Sequence, residues 1–103
     1  MIRPFKGILP SVDASAYVDV SAQVIGDVRI GPESSLWMNV VVRGDVNSIR
    51  IGARSNVQDL TLVHVMRNTH PTVIGDQVTI GHSAVIHGCT MRTAASSGWG
   101  RSC

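Results

Sequence analysis

The chain has 103 residues, a mass of 11.0 kDa and a formal net charge of +2. This length allows one small domain, and its basic side chains are scattered rather than clustered, so an electrostatic footprint for nucleic acid is missing. No stretch approaches the roughly 18 consecutive apolar residues of a membrane span, nor the apolar run of a signal peptide, so the sequence predicts a cytoplasmic protein without a membrane partner.

Residues 1–11 form a lead-in, and a repeat of six begins at residue 12. An aliphatic residue then recurs at every sixth position, apart from insertions at 48–50 and 69–73. The twelve aliphatic positions are Val12, Val18, Val24, Ile30, Leu36, Val42, Ile51, Val57, Val63, Ile74, Ile80 and Ile86. The fifth residue of each hexad is small or β-branched everywhere except at Arg67. An even period suits strands whose side chains alternate between two faces, whereas a helix repeats every 3.6 residues.

The pattern resembles the hexapeptide repeat of left-handed β-helix proteins, in which three hexads make one triangular coil. It predicts an all-β fold, a left-handed parallel β-helix of about four coils at 12–29, 30–47, 51–68 and 74–91. Both insertions follow a third hexad and therefore leave the same corner. Function often lies on loops above a rigid scaffold, so these loops indicate a nearby site. Simple tolerance of loops at corners is the alternative.

Three histidines obey the repeat. Equal hexad positions three hexads apart lie on neighbouring strands, about 4.8 Å apart, so His87 is expected above His64, with Arg43 one coil below. Each of the three hexads in a coil forms one face of the triangle. His82 belongs to the second hexad of its coil, and therefore to the second face, one coil above Asp59. Zinc requires imidazole nitrogens at about 2.0–2.1 Å, so His82 cannot join the other two within one chain unless the corner distorts. A three-fold homotrimer brings a neighbour's His82 to the pair.

With these positions the chain resembles the γ-class carbonic anhydrases over about residues 6–90. Arg43-Gly44-Asp45 matches the family's Arg-x-Asp pattern, and Asn56-Val57-Gln58-Asp59 matches its Asn-x-Gln-Asp pattern. The resemblance implies reversible hydration of carbon dioxide to bicarbonate by a metal-bound hydroxide at a trimer interface. It also implies His64, His87 and a neighbour's His82 as ligands of zinc, or alternatively of iron(II) or cobalt.

The two motifs carry further roles through this resemblance. Gln58, with Asn56 in the same motif, is expected to orient the catalytic water. Arg43 is expected to form an ion pair between subunits, and the stacking of the coils makes Asp59 its partner. Asp45 is grouped with them as an interface residue. A purely structural role for the Arg43–Asp59 pair is the alternative.

The chain departs from the family where protons must leave the site. Members of the family use acidic loop residues to carry the proton away. This chain has Val46 after Asp45, where such a residue is expected, and residues 66–71 contain no Asp or Glu. His70 is the candidate shuttle, because an ordinary histidine pKa near 6.5 suits that task. A loop histidine beside proline also fits an exposed or structural role. The resemblance thus implies a carbonic anhydrase-type lyase that lacks the acidic shuttle residues.

Residues 92–103 form a non-repeat tail. The next aliphatic positions hold Arg92 and Gly98, and residues 91–97 show no strand pattern. The family continues with further coils, so the resemblance implies a truncated chain. A shifted reading frame is one explanation, since residues 96–100 can be encoded so that the shifted frame reads Ile-Val-Gly-Met-Gly.

Two other functions fit a hexapeptide repeat. An acyltransferase using a CoA thioester relies on one catalytic histidine and on later coils, and it does not need three histidines at ligand spacing. A catalytically silent scaffold trimer keeps the interface, with or without the metal.

Overall fold

The computed structural model describes residues 1–65 and 71–91, together with the backbone of residues 96–97. Secondary structure in these ranges is entirely β, and they contain no helix that is long and apolar enough to span a membrane. The strands are β1 (Ile2–Arg3), β2 (Ser11–Val12), β3 (Tyr17–Val18), β4 (Gln23–Ile30), β5 (Ser35–Leu36), β6 (Val41–Ile51), β7 (Asn56–Val57), β8 (Leu62–His64), β9 (Thr72–Ile74), β10 (Thr79–Ile80), β11 (Val85–His87), β12 (Thr90–Met91) and β13 (Ser96–Ser97).

Strands one coil apart pair in parallel and build the three faces of a triangular prism. Face one runs from β2 through the second halves of β4 and β6 to β9 and β12. Face two consists of β3, β5, β7, β10 and β13. Face three consists of β1, the first halves of β4 and β6, β8 and β11. The described residues thus form a left-handed parallel β-helix of about four coils, which confirms the predicted fold.

The repeated aliphatic side chains fill the prism. Ten of the twelve are at most 3% exposed, while Val12 and Val18 in the first coil pack partly buried against the core. Because the coils stack directly on one another, the buried side chains of successive coils form one continuous hydrophobic cluster. Removal of this apolar surface from water is the main favourable contribution to folding, at about 25 cal/mol per Å².

The first insertion lies at the predicted corner, between faces three and one, but at different residues. From Gly26 to Val28 the chain advances two positions, whereas the paired stretch from Gly44 to Ile49 advances five. Three extra residues therefore lie within 45–48. The position predicted from the sequence pattern, 48–50, is therefore wrong.

The shifted insertion changes which residue occupies the fifth hexad position. Ile49 is fully buried in β6 and pairs with Val28, so it takes the place that the pattern assigned to Val46. Thr72, also fully buried, pairs with Ile49 in turn, which places the second insertion before residue 72. Both Val46 and Ile49 suit a buried β-branched position, and the sequence pattern could not choose between them.

Strand pairing continues beyond the last hexad. β12 pairs with β9, where Met91 lies beside Ile74, and β13 pairs with β10. The strand β13 lies where the hexad pattern indicated none. Pairing along a strand edge uses backbone N–H and C=O groups, so it does not require an aliphatic side chain at each sixth position.

Buried hydroxyl groups connect two of the corners to the coil above. Ser55 Oγ donates a hydrogen bond to the carbonyl of Gly75 at 2.5 Å and accepts one from the backbone N–H of Val78 at 3.1 Å. Ser34 and Thr61 make equivalent contacts. All three hydroxyl residues are 1% exposed. These hydroxyls therefore satisfy backbone groups at the corners, where the strand ladder is interrupted.

Substitution Ser55→Ala is expected to destabilise the fold by about 1–3 kcal/mol, because the Gly75 carbonyl and the Val78 N–H lose their buried partner. Denaturant-induced unfolding measures the effect. Ser11→Ala removes an exposed hydroxyl from β2 and is the control, with an expected change within about 0.5 kcal/mol. Equal losses in the two variants would contradict this role of the corner hydroxyls.

Asp19 gives the fold a predictable pH dependence. The hydroxyl of Ser21 first, then the Ser21 backbone N–H and the Tyr17 hydroxyl, donate hydrogen bonds that lower the pKa of Asp19 below 3.8. A depressed carboxyl pKa stabilises the fold above the unfolded-state pKa, and this stabilisation is lost as pH falls through the folded-state pKa. The difference in melting temperature between wild type and Asp19→Asn should therefore shrink below about pH 4. A difference that stays constant on acidification would exclude this contribution.

Candidate metal centre

His64 and His87 lie side by side on the outside of face three. They are direct register partners on β8 and β11. Their rings are nearly parallel, with 7° between the planes and 5.1 Å between the centroids. Alternation along each strand explains the outward direction, because the preceding residues, Val63 and Ile86, are fully buried. The stacking predicted from the hexad register is confirmed.

A charged pair lies against His64. Its Nε2 is 3.1 Å from Asp45 Oδ1 and 3.2 Å from Arg43 Nη2, and Arg43 Nε is 3.2 Å from Asp45 Oδ2. A protonated Nε2 donates to the carboxylate, whereas a deprotonated Nε2 accepts from the guanidinium. The pair can thus support either state of the ring. Asp45 lies in the first insertion, so its contact with His64 was missed by the hexad register.

The carboxylate of Asp45 is ionised at neutral pH. Burial has the largest single effect on its pKa and raises it. The backbone N–H of Val46, 2.8 Å away, the hydrogen bond with His64 and the charges of His64 and Arg43 act in the opposite direction, and together they hold the pKa below 3.8. A negative charge therefore stays beside His64, where Asp45 Oδ1 can accept a hydrogen bond from the ring.

His87 has a backbone partner instead of a charged one. Its Nε2 lies 3.1 Å from the carbonyl oxygen of Val65, which accepts a hydrogen bond when that nitrogen is protonated. In the neutral ring this contact leaves the lone pair on Nδ1. A hydrogen bond from one ring nitrogen to a carbonyl is a common way to orient a histidine that binds a metal through the other.

His82 lies elsewhere, at the corner between faces two and three. The register of β10 on β7 and the 2.9 Å hydrogen bond from Ser83 N to the Asp59 carbonyl place His82 one coil above Asp59. In the described part of the chain, no group of three His, Cys, Asp or Glu side chains could hold a metal ion. One chain therefore brings together His64 and His87 but not His82.

The donor chemistry of the histidine pair fits a divalent metal. Two imidazoles on adjacent strands can approach one ion from the same side, and neutral imidazole is a preferred ligand of zinc, iron and cobalt. His64 and His87 would provide two ligands of a three-histidine set. His82 lies at another corner and does not complete this set within one chain.

Asn56 and Gln58 form a connected pair of amides on the outside of face two. Gln58 Nε2 donates to Asn56 Oδ1 at 2.6 Å, and Asn56 Nδ2 donates to Thr79 Oγ1 at 3.1 Å. The contact with Thr79 was missed by the sequence analysis. Its signal was available, because Thr79 and Asn56 occupy the same hexad position in successive coils. His70, the candidate shuttle, lies outside the described residues.

No family model matches the chain, but individual proteins do. The chain is 53% identical over 96 residues to "Gamma carbonic anhydrase 1, mitochondrial" of Arabidopsis thaliana. This match covers 88% of this chain and 35% of the relative. It is 43% identical over 100 residues to a carbonic anhydrase of Geobacillus kaustophilus, which covers 97% of this chain and 54% of the relative. The chain is a γ-carbonic-anhydrase-like hexapeptide-repeat protein.

A solved structure supports the hexapeptide-repeat class. The crystal structure of a hexapeptide transferase family protein from Anaplasma phagocytophilum matches with a TM-score of 0.82 and 47% identity, over 86% of this chain and 51% of that chain. The γ-carbonic-anhydrase-like chain spans about half the length of its Geobacillus relative and about a third of its Arabidopsis relative. The family resemblance drawn from the sequence motifs is confirmed.

Proposed function

We propose that the chain forms part of a metal centre that hydrates carbon dioxide reversibly to bicarbonate. The observation that carries this proposal is the stacked pair His64 and His87, in a chain 53% identical to a γ carbonic anhydrase. Zinc is the proposed metal, with iron(II) and cobalt as alternatives, because neutral imidazoles bind all three. A cytoplasmic location remains a prediction of the sequence.

The proposed assembly is a homotrimer. Face three of one subunit, with His64 and His87, would lie against the corner of the next subunit that carries His82. The same contact would place Arg43 opposite the neighbour's Asp59. Support comes from the placement of His82 and Asp59 at one corner, one coil apart, which matches the one-coil separation of His64 and Arg43.

The reaction needs few groups from the protein. When bound, the metal makes hydroxide available near neutral pH for attack on carbon dioxide. Gln58 would orient the attacking water through Oε1, because its Nε2 is engaged by Asn56. His70 would accept the released proton, since its ordinary pKa lies near neutrality and residues 66–71 offer no carboxylate. Arg43, Asp45 and Asp59 would hold the subunits and His64 in place.

An acyltransferase that uses a CoA thioester is the second candidate. The transferase name of the Anaplasma structural match favours it. In that case one histidine would act as the base that activates the acceptor, and no metal would be required. A scaffold trimer without activity is the third candidate, and it would keep the subunit interface.

The first experiment compares metal content and carbon dioxide hydration in wild type and His87→Ala, both purified anaerobically. We expect metal and hydration in the wild type and loss of both in the variant, because two histidines remain where three are needed. Arg29→Ala, an exposed position on face one, is the control and should change neither property.

Other results would identify the competing functions. Bound metal without hydration in the wild type supports the scaffold trimer. Turnover of acetyl-CoA, with neither metal nor hydration, supports the acyltransferase. Either result contradicts the proposed anhydrase activity.

The second experiment tests the proposed ion pair between subunits. Arg43→Asp and Asp59→Arg should each raise the dissociation constant of the trimer by at least about tenfold, since like charges then meet at the interface. The double variant, in which the two charges are exchanged, should recover part of the lost trimer affinity. Sedimentation velocity over a range of concentrations measures the oligomer.

The control reverses an ion pair that lies within one chain. Arg50 Nη1 is 3.1 Å from Asp27 Oδ1, so Arg50→Asp combined with Asp27→Arg should leave the trimer intact. If single reversals at Arg43 and Asp59 also leave it intact, the proposed contact between subunits is wrong.

A further inference from the structure

Thr79 ends a chain of hydrogen bonds that leads to Gln58. Thr79 Oγ1 accepts from Asn56 Nδ2 at 3.1 Å, and Asn56 Oδ1 accepts from Gln58 Nε2 at 2.6 Å. We refer to these three residues as the amide relay. Both ends of the Asn56 amide are engaged, one by Thr79 in the coil above and one by Gln58 in its own coil. The side chain of Asn56 is therefore held from two directions.

Gln58 needs such support if it is to present one oxygen in a fixed direction. Its side chain is long and only half-buried, and a glutamine side chain loses much rotamer freedom when it is ordered. Its backbone is already fixed, because Gln58 N donates to the Ile80 carbonyl at 3.0 Å. The remaining freedom lies in the side chain, and Asn56 is the partner that restrains it.

Thr79 is a suitable anchor for this restraint. It is β-branched and lies in β10, so its χ1 angle is restricted and its hydroxyl has a defined position. The backbone of β10 is fixed to β7 by parallel pairing. The same strand leads directly to His82, which belongs to the proposed metal site. The relay thus connects the position of Gln58 to β10, the strand that precedes His82.

We propose that Thr79 is a positioning residue for Gln58. Its hydroxyl orients Asn56, and Asn56 holds Gln58 Nε2, so that Gln58 Oε1 faces the reacting water. The catalytic consequence rests on the proposed hydration activity, whereas the relay itself is a property of the folded chain. A hydrogen bond that only joins two coils would affect stability without changing the order of the Gln58 side chain.

The test uses three variants of the full chain. Thr79→Val removes the hydroxyl and keeps the branched shape, and Thr79→Ser keeps the hydroxyl. Thr90→Val makes the same change as the first at an exposed threonine on face one and is the control. Two measurements are made on each variant: the side-chain amide NMR signals of Asn56 and Gln58, with their hydrogen-exchange rates, and carbon dioxide hydration together with metal content.

Thr79→Val is expected to shift the side-chain amide signals of both Asn56 and Gln58 and to speed their exchange. With metal content unchanged, kcat should fall about tenfold. This is the lower end of the range for residues that hydrogen-bond to the groups lining a metal site. Thr79→Ser should restore the signals and most of kcat. Thr90→Val should match the wild type in every measurement.

Three results would overturn the proposal. They are unchanged Gln58 signals in Thr79→Val, equal losses of kcat in Thr79→Val and Thr79→Ser, and shifted Gln58 signals with unchanged kcat. If the wild type does not hydrate carbon dioxide, the proposed function has failed and the catalytic part of this inference with it. The NMR signals still decide whether Thr79 orders Gln58.

Discussion

Parallel pairing between successive coils is the constraint on which the rest of the structure depends. Most strands are only two or three residues long, so an isolated pair of them would make too few hydrogen bonds to persist. Stacking gives the strands neighbours above and below and places equal hexad positions in vertical columns. Inward columns become the aliphatic core. Outward columns bring together residues distant in sequence, such as His64 and His87.

Two neighbouring faces carry different chemistry because of these columns. Face three presents imidazoles beside an ion pair, where Arg43 and Asp45 contact His64. Face two presents neutral amides that bond to each other and to Thr79. In one chain the imidazoles of face three and the amides of face two lie on different sides of the prism. In the proposed metal centre these two sets of groups would come from different subunits.

The insertions show where the repeat stops being informative. The hexad pattern identified the corner from which they leave, because only that corner loses the period of six. It gave the wrong residues, since Val46 and Ile49 are both suitable for a buried β-branched position. Pairing with β4 places Ile49 in the core, whereas residues 45–48, which contain the insertion, are only partly buried. That choice also brought Asp45 against His64, a contact that depends on the path of the bulge.

The sequence by itself determined the β-helix, its coils and the alignment of His87 on His64, because a strict period of six fixes both the strand faces and the vertical register. It also identified the family through short motifs around Arg43 and Gln58. Only the tertiary structure decided the exact insertion, the strand β13 and the side-chain contacts of His64 and Asn56. Those features depend on backbone pairing and on side-chain direction, which a linear pattern of apolar positions does not encode.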